Sequence, residues 1–476
     1  MRINNVFGTL VLVLALTGAA TAAEVQTSTL DDQQSVEVTV YNSNLGLVKD
    51  TRKIVLPEGV GELRFMDVAA AIMPYTVHIE SLNAPNDLAV LEQNYEYDLL
   101  DANKLLNKYV GKKIKLMEWS PVQGSDKKEI VEATLLSNNG SPIYKINDEI
   151  YIGRPGYQIL PELPENLIAQ PTLTWMCQNT GKGPHTVQVS YLTNNISWRS
   201  DYIVVVNADD TAANLSGWVT LDNNSGATYK EAKLKLVAGQ VNRVQATRGY
   251  EEARFAAMDA AKSAAPQFQE QGFFEYHLYD LQRKTTIKNN ETKQISLLEA
   301  NGAKVEKEFL VYGNQSYYYS RYGGDAIKPP VNVYIKFRNS KENHMGMPLP
   351  AGTMRLYKED AQKSLQFIGE DAIKHTPKDE DVELKIGEAF DVVAERVQKD
   401  FQQYGRAYDT EWEIKIRNHK DTDISVGIVE PTYGDWEVIS SSSPYKKVDA
   451  HTLRFDVNVP KDQEITITYK IRVRTS

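Results

Sequence analysis

The sequence has almost no cysteine, and this limits how the fold can be held together. Cys177 is the one cysteine among 476 residues. Because one thiol cannot form an internal disulfide, a scaffold stapled by disulfides is excluded. A folded chain of this length buries roughly three quarters of the surface that its unfolded form exposes, so neither metals nor disulfides are needed for stability.

Clusters of positive charge are also missing. The chain has 53 Lys and Arg against 63 Asp and Glu, a net charge of −10, and no block rich in Lys or Arg. Nucleic-acid-binding proteins need a basic patch to meet the phosphates, so the composition argues against a nucleic acid partner. Hydrophobic content of 42% and charged content of 24% exclude wholesale disorder and a collagen-like fibre.

Long apolar runs are confined to the start of the chain. Arg2, the run Val6–Leu16 and the small residues Ala20–Ala22 predict a signal peptide over residues 1–22. No later stretch reaches the roughly 18 apolar residues of a spanning helix, and no cysteine near the cleavage site could carry a lipid. We therefore expect a soluble protein, periplasmic or secreted, with no transmembrane segment after signal removal and a net charge of −11.

Specific catalytic and cofactor motifs are absent. The sequence contains no G-x-S-x-G and no H-E-x-x-H, and no two of its seven histidines share a helical turn. The stretch Gly181-Lys182-Gly183 lacks the third glycine of a dinucleotide fingerprint and the Lys-Ser/Thr of a phosphate loop. We predict no cofactor and no metal site, although an active site built from distant residues would leave no such trace.

Alternation of apolar and polar residues is the dominant pattern that the chain does have. It predicts half-buried strands with one wet face, joined by short polar turns such as Asn139-Gly140 and Ser225-Gly226. We therefore expect a mainly β protein built from antiparallel β-sandwich domains. The alternating stretches include Val36–Val40, Val187–Tyr191, Glu411–Arg417 and Ile465–Val473.

About three structural units are expected from the length. After the signal peptide, residues 23–97 read as a β region. Residues 98–165 read as a small SH3-like barrel with a leading short helix near Leu99–Tyr109. Residues 170–476 are expected to form a large β domain, which could itself consist of two β-sandwiches.

One further segment breaks the β pattern. Seven of the 18 residues in 248–265 are Ala, and the next residue is Pro266, which favours a second short helix. We expect a surface helix or a mobile insertion rather than a core element.

Three groups of residues are candidate sites, and each also has a purely structural interpretation. His344-Met345-Gly346-Met347 has soft ligands that would suit copper, but the pattern favours a loop before Pro348. Glu411 and Glu413 share a strand face as paired catalytic carboxylates could, but Lys415 and Arg417 lie on the same face and favour solvated ion pairs.

Cys177 is the third of these. It alternates with Leu173 and Trp175, which favours a small buried hydrophobe over a nucleophile or an intermolecular disulfide.

Tyr317, Tyr318 and Tyr319 form the strongest candidate binding surface. Consecutive residues of a strand point to opposite faces, so at least one of these rings should be exposed and could stack on a sugar or anchor a protein interface. The alternative is an irregular connection, since Gly323-Gly324 follows. We predict a ligand-binding role for the three tyrosines and no catalytic residue.

Several short motifs occur in order along residues 170–476: Tyr191–Arg199, Tyr202, Gly217–Asn223 with Ser225-Gly226, Leu234–Gly239, Phe274–Tyr276, Met347–Gly352 and Gly387–Asp391. Together these motifs resemble a bacterial exported family of unknown function whose domain also forms the C-terminal part of mucoidy-inhibitor-like proteins. The resemblance implies an exported, mostly β protein and lends no catalytic residue. Mucoidy-inhibitor-like proteins carry coiled-coil segments before this domain, where this chain has the barrel-like unit.

Three functions fit these observations. The leading hypothesis is a non-enzymatic, envelope-associated module that binds a glycan or a protein. The first alternative is a hydrolase of envelope polysaccharide or peptide, with carboxylates drawn from different strands. The second is an assembly protein that exchanges strands.

Overall fold

The computed structural model describes residues 24–96, 101–119, 128–153, 156–162, 170–239, 241–242, 268–273, 275–323, 325–360 and 362–474. Strands dominate these residues, so the mainly β prediction is confirmed. The predicted signal peptide and the predicted helix at 248–265 lie outside the described residues. Within the described part of the chain, no helix is long and apolar enough to cross a membrane.

Two compact units make up the described chain. The first contains the described residues of 1–36 and 49–192, and the second contains 37–48 and those of 193–476. The three predicted regions after the signal peptide remain a prediction. Thirteen strands begin before residue 193: β1 (Glu24–Ser28), β2 (Gln33–Tyr41), β3 (Leu45–Val55), β4 (Gly59–Met66), β5 (His78–Ser81), β6 (Leu88–Glu96), β7 (Lys113–Trp119), β8 (Lys128–Ser137), β9 (Ile143–Ile146), β10 (Glu149–Ile152), β11 (Tyr157–Ile159), β12 (Thr172–Asn179) and β13 (Pro184–Asn194).

The first unit holds a four-stranded sheet in the order β1-β4-β12-β6. Strand β1 pairs in parallel with β4, and β12 lies antiparallel to both β4 and β6. Strand β13 pairs antiparallel with β5. Two 3-10 turns, Leu30–Asp32 and Pro74–Thr76, lie in this unit.

The predicted barrel is an open five-stranded antiparallel sheet. Its order is β10-β9-β8-β7-β11, and these described strands do not close into a barrel. Its outermost strands are only four and three residues long, too short to curl round and pair with each other. The helix α1 (Ala102–Lys108) precedes the sheet as predicted, and the Asp101 side chain caps it by accepting from two backbone N–H groups.

Nineteen of the described strands begin after residue 193, in the second unit. They are β14 (Ile196–Val206), β15 (Ala212–Asn223), β16 (Tyr229–Ala238), β17 (Phe268–Phe273), β18 (Tyr276–Leu281), β19 (Thr285–Ile287), β20 (Glu291–Lys304), β21 (Glu306–Tyr312), β22 (Val331–Arg338), β23 (Gly352–Glu359), β24 (Leu365–Ile373), β25 (Asp381–Glu388), β26 (Val392–Tyr404), β27 (Ala407–Asn418), β28 (Ile424–Pro431), β29 (Asp435–Ser441), β30 (Lys446–Asp449), β31 (Thr452–Val459) and β32 (Gln463–Arg474).

The first half of this unit contains a sheet in the order β20-β15-β14-β23-β24, in which β14 and β23 run parallel. Strand β16 pairs in parallel with residues 37–41 of β2 and antiparallel with β18, and β17 completes a hairpin with β18. Strand β19 also pairs with β16.

The C-terminal half is a β-sandwich, as predicted. One sheet has the order β25-β22-β21-β28-β31-β30 and the other has the order β26-β27-β32-β29. Inward side chains of both sheets share one apolar core, which includes Ile428 and Phe455 from the first sheet and Trp412 and Ile471 from the second. The strict alternation in β27 and β32 places every second residue in this core.

Candidate functional site

The three predicted tyrosines lie in the connection between β21 and β22 rather than in a strand. Residues Gln315–Tyr318 form a 3-10 helix, and the Asn314 side chain caps it by accepting from the Ser316 N–H. We call residues 315–322 the tyrosine segment. Tyr318 is fully buried, whereas Tyr317 and Tyr319 are half-buried. None of the three residues is exposed, so the prediction that at least one ring would face solvent is wrong: the segment is a turn that packs on the sandwich core and not a strand with two faces.

Tyr318 is held by a buried polar network. Its hydroxyl donates to Glu430 Oε2 at 2.7 Å and lies 3.1 Å from the Tyr469 hydroxyl. Glu430 also forms an ion pair with Arg396, and both side chains are excluded from solvent. Burial raises the pKa of Tyr318 well above its ordinary value, so its hydroxyl stays protonated and available as a donor.

Arg396 lies against two aromatic rings that also contact each other. Its guanidinium carbon is 4.6 Å from the centre of the Tyr317 ring and 5.1 Å from that of Trp412. The two rings are themselves 5.2 Å apart. These cation–π contacts fix Tyr317 over the ion pair. Gly313 leaves room for the pair, because a Cβ at this position would overlap the Glu430 carboxylate.

A cluster of aromatic rings continues from the tyrosine segment to the surface. Tyr319 packs edge-to-face against Tyr408 at 5.6 Å and Tyr433 at 6.3 Å, and Phe401 lies 6.1 Å from Tyr408. We call Tyr319, Phe401, Tyr408 and Tyr433 the tyrosine surface. The Tyr433 side chain is 52% exposed, so the cluster is open to solvent at this ring.

Burial, followed by the neighbouring Tyr433 and Tyr408, raises the pKa of Tyr319. The hydroxyl of Tyr319 is therefore protonated at neutral pH and can both donate and accept a hydrogen bond.

Buried polar atoms without a partner are concentrated beneath the tyrosine segment. In the described residues, eleven buried side-chain atoms have no hydrogen-bond partner, and six of them are here. We call this group the polar seam. It consists of Tyr319 Oη, Arg396 Nε and Nη1, Thr410 Oγ1, Trp412 Nε1 and Thr432 Oγ1.

Sequence reasoning found the tyrosines but missed the residues around them. Arg396 and Glu430 each occupy an inward position of an otherwise apolar alternation, in β26 and β28. A charged residue at a core position is a signal that could have identified the pair. Nothing local identifies Thr410 or Tyr433, which reach the tyrosine segment through the topology of the sandwich.

The predicted carboxylate pair lies on the solvent-facing side of β27. Glu413 pairs with Lys399 at 3.7 Å, and Arg417 pairs with Glu395 at 2.7 Å. Glu411 is on the same side, in register with Lys470. This arrangement matches the solvated ion-paired face that the sequence favours.

The other two candidates lie in a loop and in a strand. His344 ends the 3-10 turn Lys341–Asn343 in a left-handed conformation within a loop, as the pattern favours. No group of three or more potential metal-ligating His, Cys, Asp or Glu residues occurs in the described ranges. Cys177 is 3% exposed, and burial raises its pKa to about 11, so it is a buried small hydrophobe, as predicted.

A buried polar triplet in the first unit escaped sequence analysis. Ser81 Oγ lies 2.9 Å from His185 Nδ1, and His185 Nε2 lies 3.0 Å from Asn179 Oδ1. The chain of contacts Ser81–His185–Asn179 resembles that of a catalytic nucleophile, its base and the group that orients the base. All three residues are buried, however, and Asn179 also donates to the backbone oxygens of Leu56 and Pro57. The triplet therefore acts as an internal hydrogen-bonding network, out of reach of a substrate.

The motifs that carry the family resemblance meet inside the second unit. The Tyr202 hydroxyl donates to the Pro350 oxygen at 2.8 Å, and the Trp198 indole donates to the Val237 oxygen at 3.2 Å. Both aromatic side chains are buried. These motifs thus connect strands of the fold and need no shared chemistry to explain them.

A comparison with curated proteins found no match. The family model described as "Domain of unknown function (DUF4139)" matches residues 187–475, well over half of the sequence. The chain therefore belongs to this family, whose function is unknown.

Proposed function

We propose that this protein is an exported, non-enzymatic binding protein of the cell envelope and that it contacts its partner through the tyrosine surface. The signal-like residues 1–22 support export, to a periplasm or to the medium. The net charge of −10 makes nucleic acid a poor partner.

One observation carries the proposal: aromatic rings are gathered on a surface that a buried ion pair holds in place. Tyr433 is half exposed and touches Tyr319, while Tyr318, the next residue, is tied to Glu430 in the core. Aromatic side chains on a rigid support supply large contact area at low cost in conformational entropy, which is the property of binding hot spots.

The resemblance to mucoidy-inhibitor-like proteins supports an envelope setting. Those proteins carry coiled-coil segments ahead of the shared domain, whereas residues 113–159 of this chain form the five-stranded sheet. The proposal therefore extends to envelope binding and not to a role in mucoidy.

The test is binding of the purified mature protein, residues 23–476, to an envelope fraction of the source organism. We expect the double variant Tyr408→Ala/Tyr433→Ala to lose most binding. Tyr75→Ala is the matched control, because Tyr75 is 84% exposed and lies in the other unit.

Equal binding by the wild type and the double variant would contradict the proposal. So would absence of binding together with turnover of an envelope polymer. Circular dichroism of each variant shows whether a loss of binding reflects a loss of fold.

A further inference from the structure

The polar seam is an unusual feature for the interior of a β-sandwich. A buried donor or acceptor without a partner destabilises the fold, because the group has lost its hydrogen bonds to water and gained none in return. Six such atoms lie together, and four of the five side chains that carry them are almost completely buried: Arg396, Thr410, Trp412 and Thr432. Buried polar atoms in native proteins are normally paired, so a concentration of unpaired ones calls for a functional explanation.

The seam runs directly beneath the rings of the tyrosine surface. Thr410 lies between Tyr408 and Trp412 on the inward face of β27. Tyr319 packs on Tyr408, and Tyr317 packs on Trp412, so residues 317–319 span the strand above Thr410. Aromatic faces and unpaired hydrogen-bonding atoms therefore occupy adjoining positions.

The chemistry of the seam is that of a site for an uncharged ligand. The positive charge of Arg396 is already balanced by Glu430, so its free Nε and Nη1 offer hydrogen bonds without a net charge. Three of the other unpaired atoms are hydroxyl oxygens, which both donate and accept. An anionic ligand would gain little here, because the neighbouring carboxylate would oppose it.

We infer that the tyrosine surface and the polar seam together bind a neutral glycan, with aromatic rings stacked on the C–H faces of the sugar and the seam paired with its hydroxyl groups. This inference rests on the proposed binding function and names the class of ligand. A sugar ring has both an apolar face and a rim of hydroxyls, which is the combination that the two adjoining groups match.

Entry of the sugar requires a local movement, because the seam atoms are buried. Tyr319 is the residue placed to move: it is half-buried, its ring packs edge-to-face on other rings, and its hydroxyl has no partner. Tyr318 beside it is anchored to Glu430 and keeps the rest of the segment in place. We therefore expect the Tyr319 ring to swing and open the seam at Thr410, while Tyr317 stays over Arg396 and Trp412.

The class of ligand is tested by treating the envelope fraction before binding. Periodate cleaves the vicinal diols of sugars, and proteinase K removes protein partners. We expect periodate to abolish binding and proteinase K to leave it intact. We also expect binding to be the same in low and high salt, because the ligand is neutral.

The role of the seam is tested with Tyr319→Phe and Thr410→Val, each of which removes one unpaired polar atom and little else. Because these atoms are unpaired, both variants should be as stable as the wild type or more stable, and if the atoms have no role in binding, the affinity should not change either. We expect unchanged or higher stability together with a loss of affinity of roughly two- to tenfold, the value of one hydrogen bond. Ser28→Ala is the control, because it removes an unpaired buried hydroxyl in the other unit and should leave binding unchanged.

The outcomes separate the two proposals. Binding that survives periodate, or unchanged affinity in both Tyr319→Phe and Thr410→Val, overturns the glycan inference. If Tyr408→Ala/Tyr433→Ala still abolishes binding in that case, the proposed function stands with a different ligand. If that double variant binds normally, the proposed function itself fails.

Discussion

The Tyr318 hydroxyl donates a 2.7 Å hydrogen bond to Glu430, joining the connection between β21 and β22 to the centre of the C-terminal sandwich. Both residues are fully buried. A hydrogen bond to a carboxylate away from water is stronger than one between neutral groups. This contact makes the tyrosine segment a fixed part of the sandwich rather than a loose loop.

Replacing Tyr318 by Phe should lower the free energy of unfolding by about 1.5–3 kcal/mol, because Glu430 loses a charged hydrogen bond that water cannot replace. Urea unfolding followed by fluorescence measures the change. The control is Tyr322→Phe. The Tyr322 hydroxyl bonds the Ser316 hydroxyl at an exposed site, so its removal should lower the free energy of unfolding by less than about 1 kcal/mol. Equal effects of the two changes would show that the Glu430 contact has no special role.

Removing one partner of the Arg396–Glu430 ion pair should destabilise the fold more than replacing both partners. Arg396→Met leaves the Glu430 carboxylate buried without its cation, and we expect a loss of about 3–5 kcal/mol. The double variant Arg396→Met/Glu430→Leu should recover most of that loss, since an apolar pair of similar volume leaves no uncompensated charge. Urea denaturation of Arg396→Met, Glu430→Leu and the double variant gives the coupling energy between the two residues. Additive losses would contradict the buried pairing.

Acid should weaken the sandwich through Asp409. The Arg472 guanidinium donates to both carboxylate oxygens, at 2.6 and 2.7 Å, and holds the pKa of Asp409 below its ordinary value. A carboxylate with a lowered pKa in the folded state adds stability above its unfolded pKa of about 3.9, and this stability is lost as the pH falls through the folded pKa.

Asp409→Asn should therefore lower the free energy of unfolding at pH 7 and make it fall less steeply below about pH 4. Urea unfolding at a series of pH values measures both effects. If the free energy of unfolding of the variant fell as steeply below about pH 4 as that of the wild type, the Arg472 contact would not set the pKa of Asp409.

The thiol of Cys177 should be inert in the native protein. Burial raises its pKa to about 11, so almost no reactive thiolate exists at neutral pH, and the side chain is 3% exposed. We expect a disulfide reagent such as DTNB to react at the rate of unfolding in buffer and at once in denaturant. Rapid labelling of the folded protein would identify Cys177 as accessible and reopen its role as a nucleophile.

Strands could be predicted where one face is buried and the other is wet. In Glu411–Arg417 the alternation assigns Trp412, Ile414 and Ile416 to the core, and all three are buried. The turn residue Asn147, between β9 and β10, has the positive φ that a tight hairpin needs. Such features are local, so the sequence displays them.

Features that depend on distant partners could not be predicted. Barrel closure in the first unit depends on whether β10 and β11 reach each other, and their separate patterns do not contain that information. Similarly, the partners of Tyr318 come from β28 and β32, more than 100 residues further along the chain. The tyrosines were visible in the sequence, but the ion pair and the polar seam beneath them depend on how the two sheets pack.

The central claim is that the tyrosine surface is where the partner binds, and hydrogen exchange of the complete protein tests it most directly. With the envelope ligand bound, we expect backbone amides in residues 315–322, 398–412 and 430–434 to exchange more slowly, while the rest of the protein is unchanged. Slowed exchange confined to the first unit, or no change anywhere despite measured binding, would contradict the account.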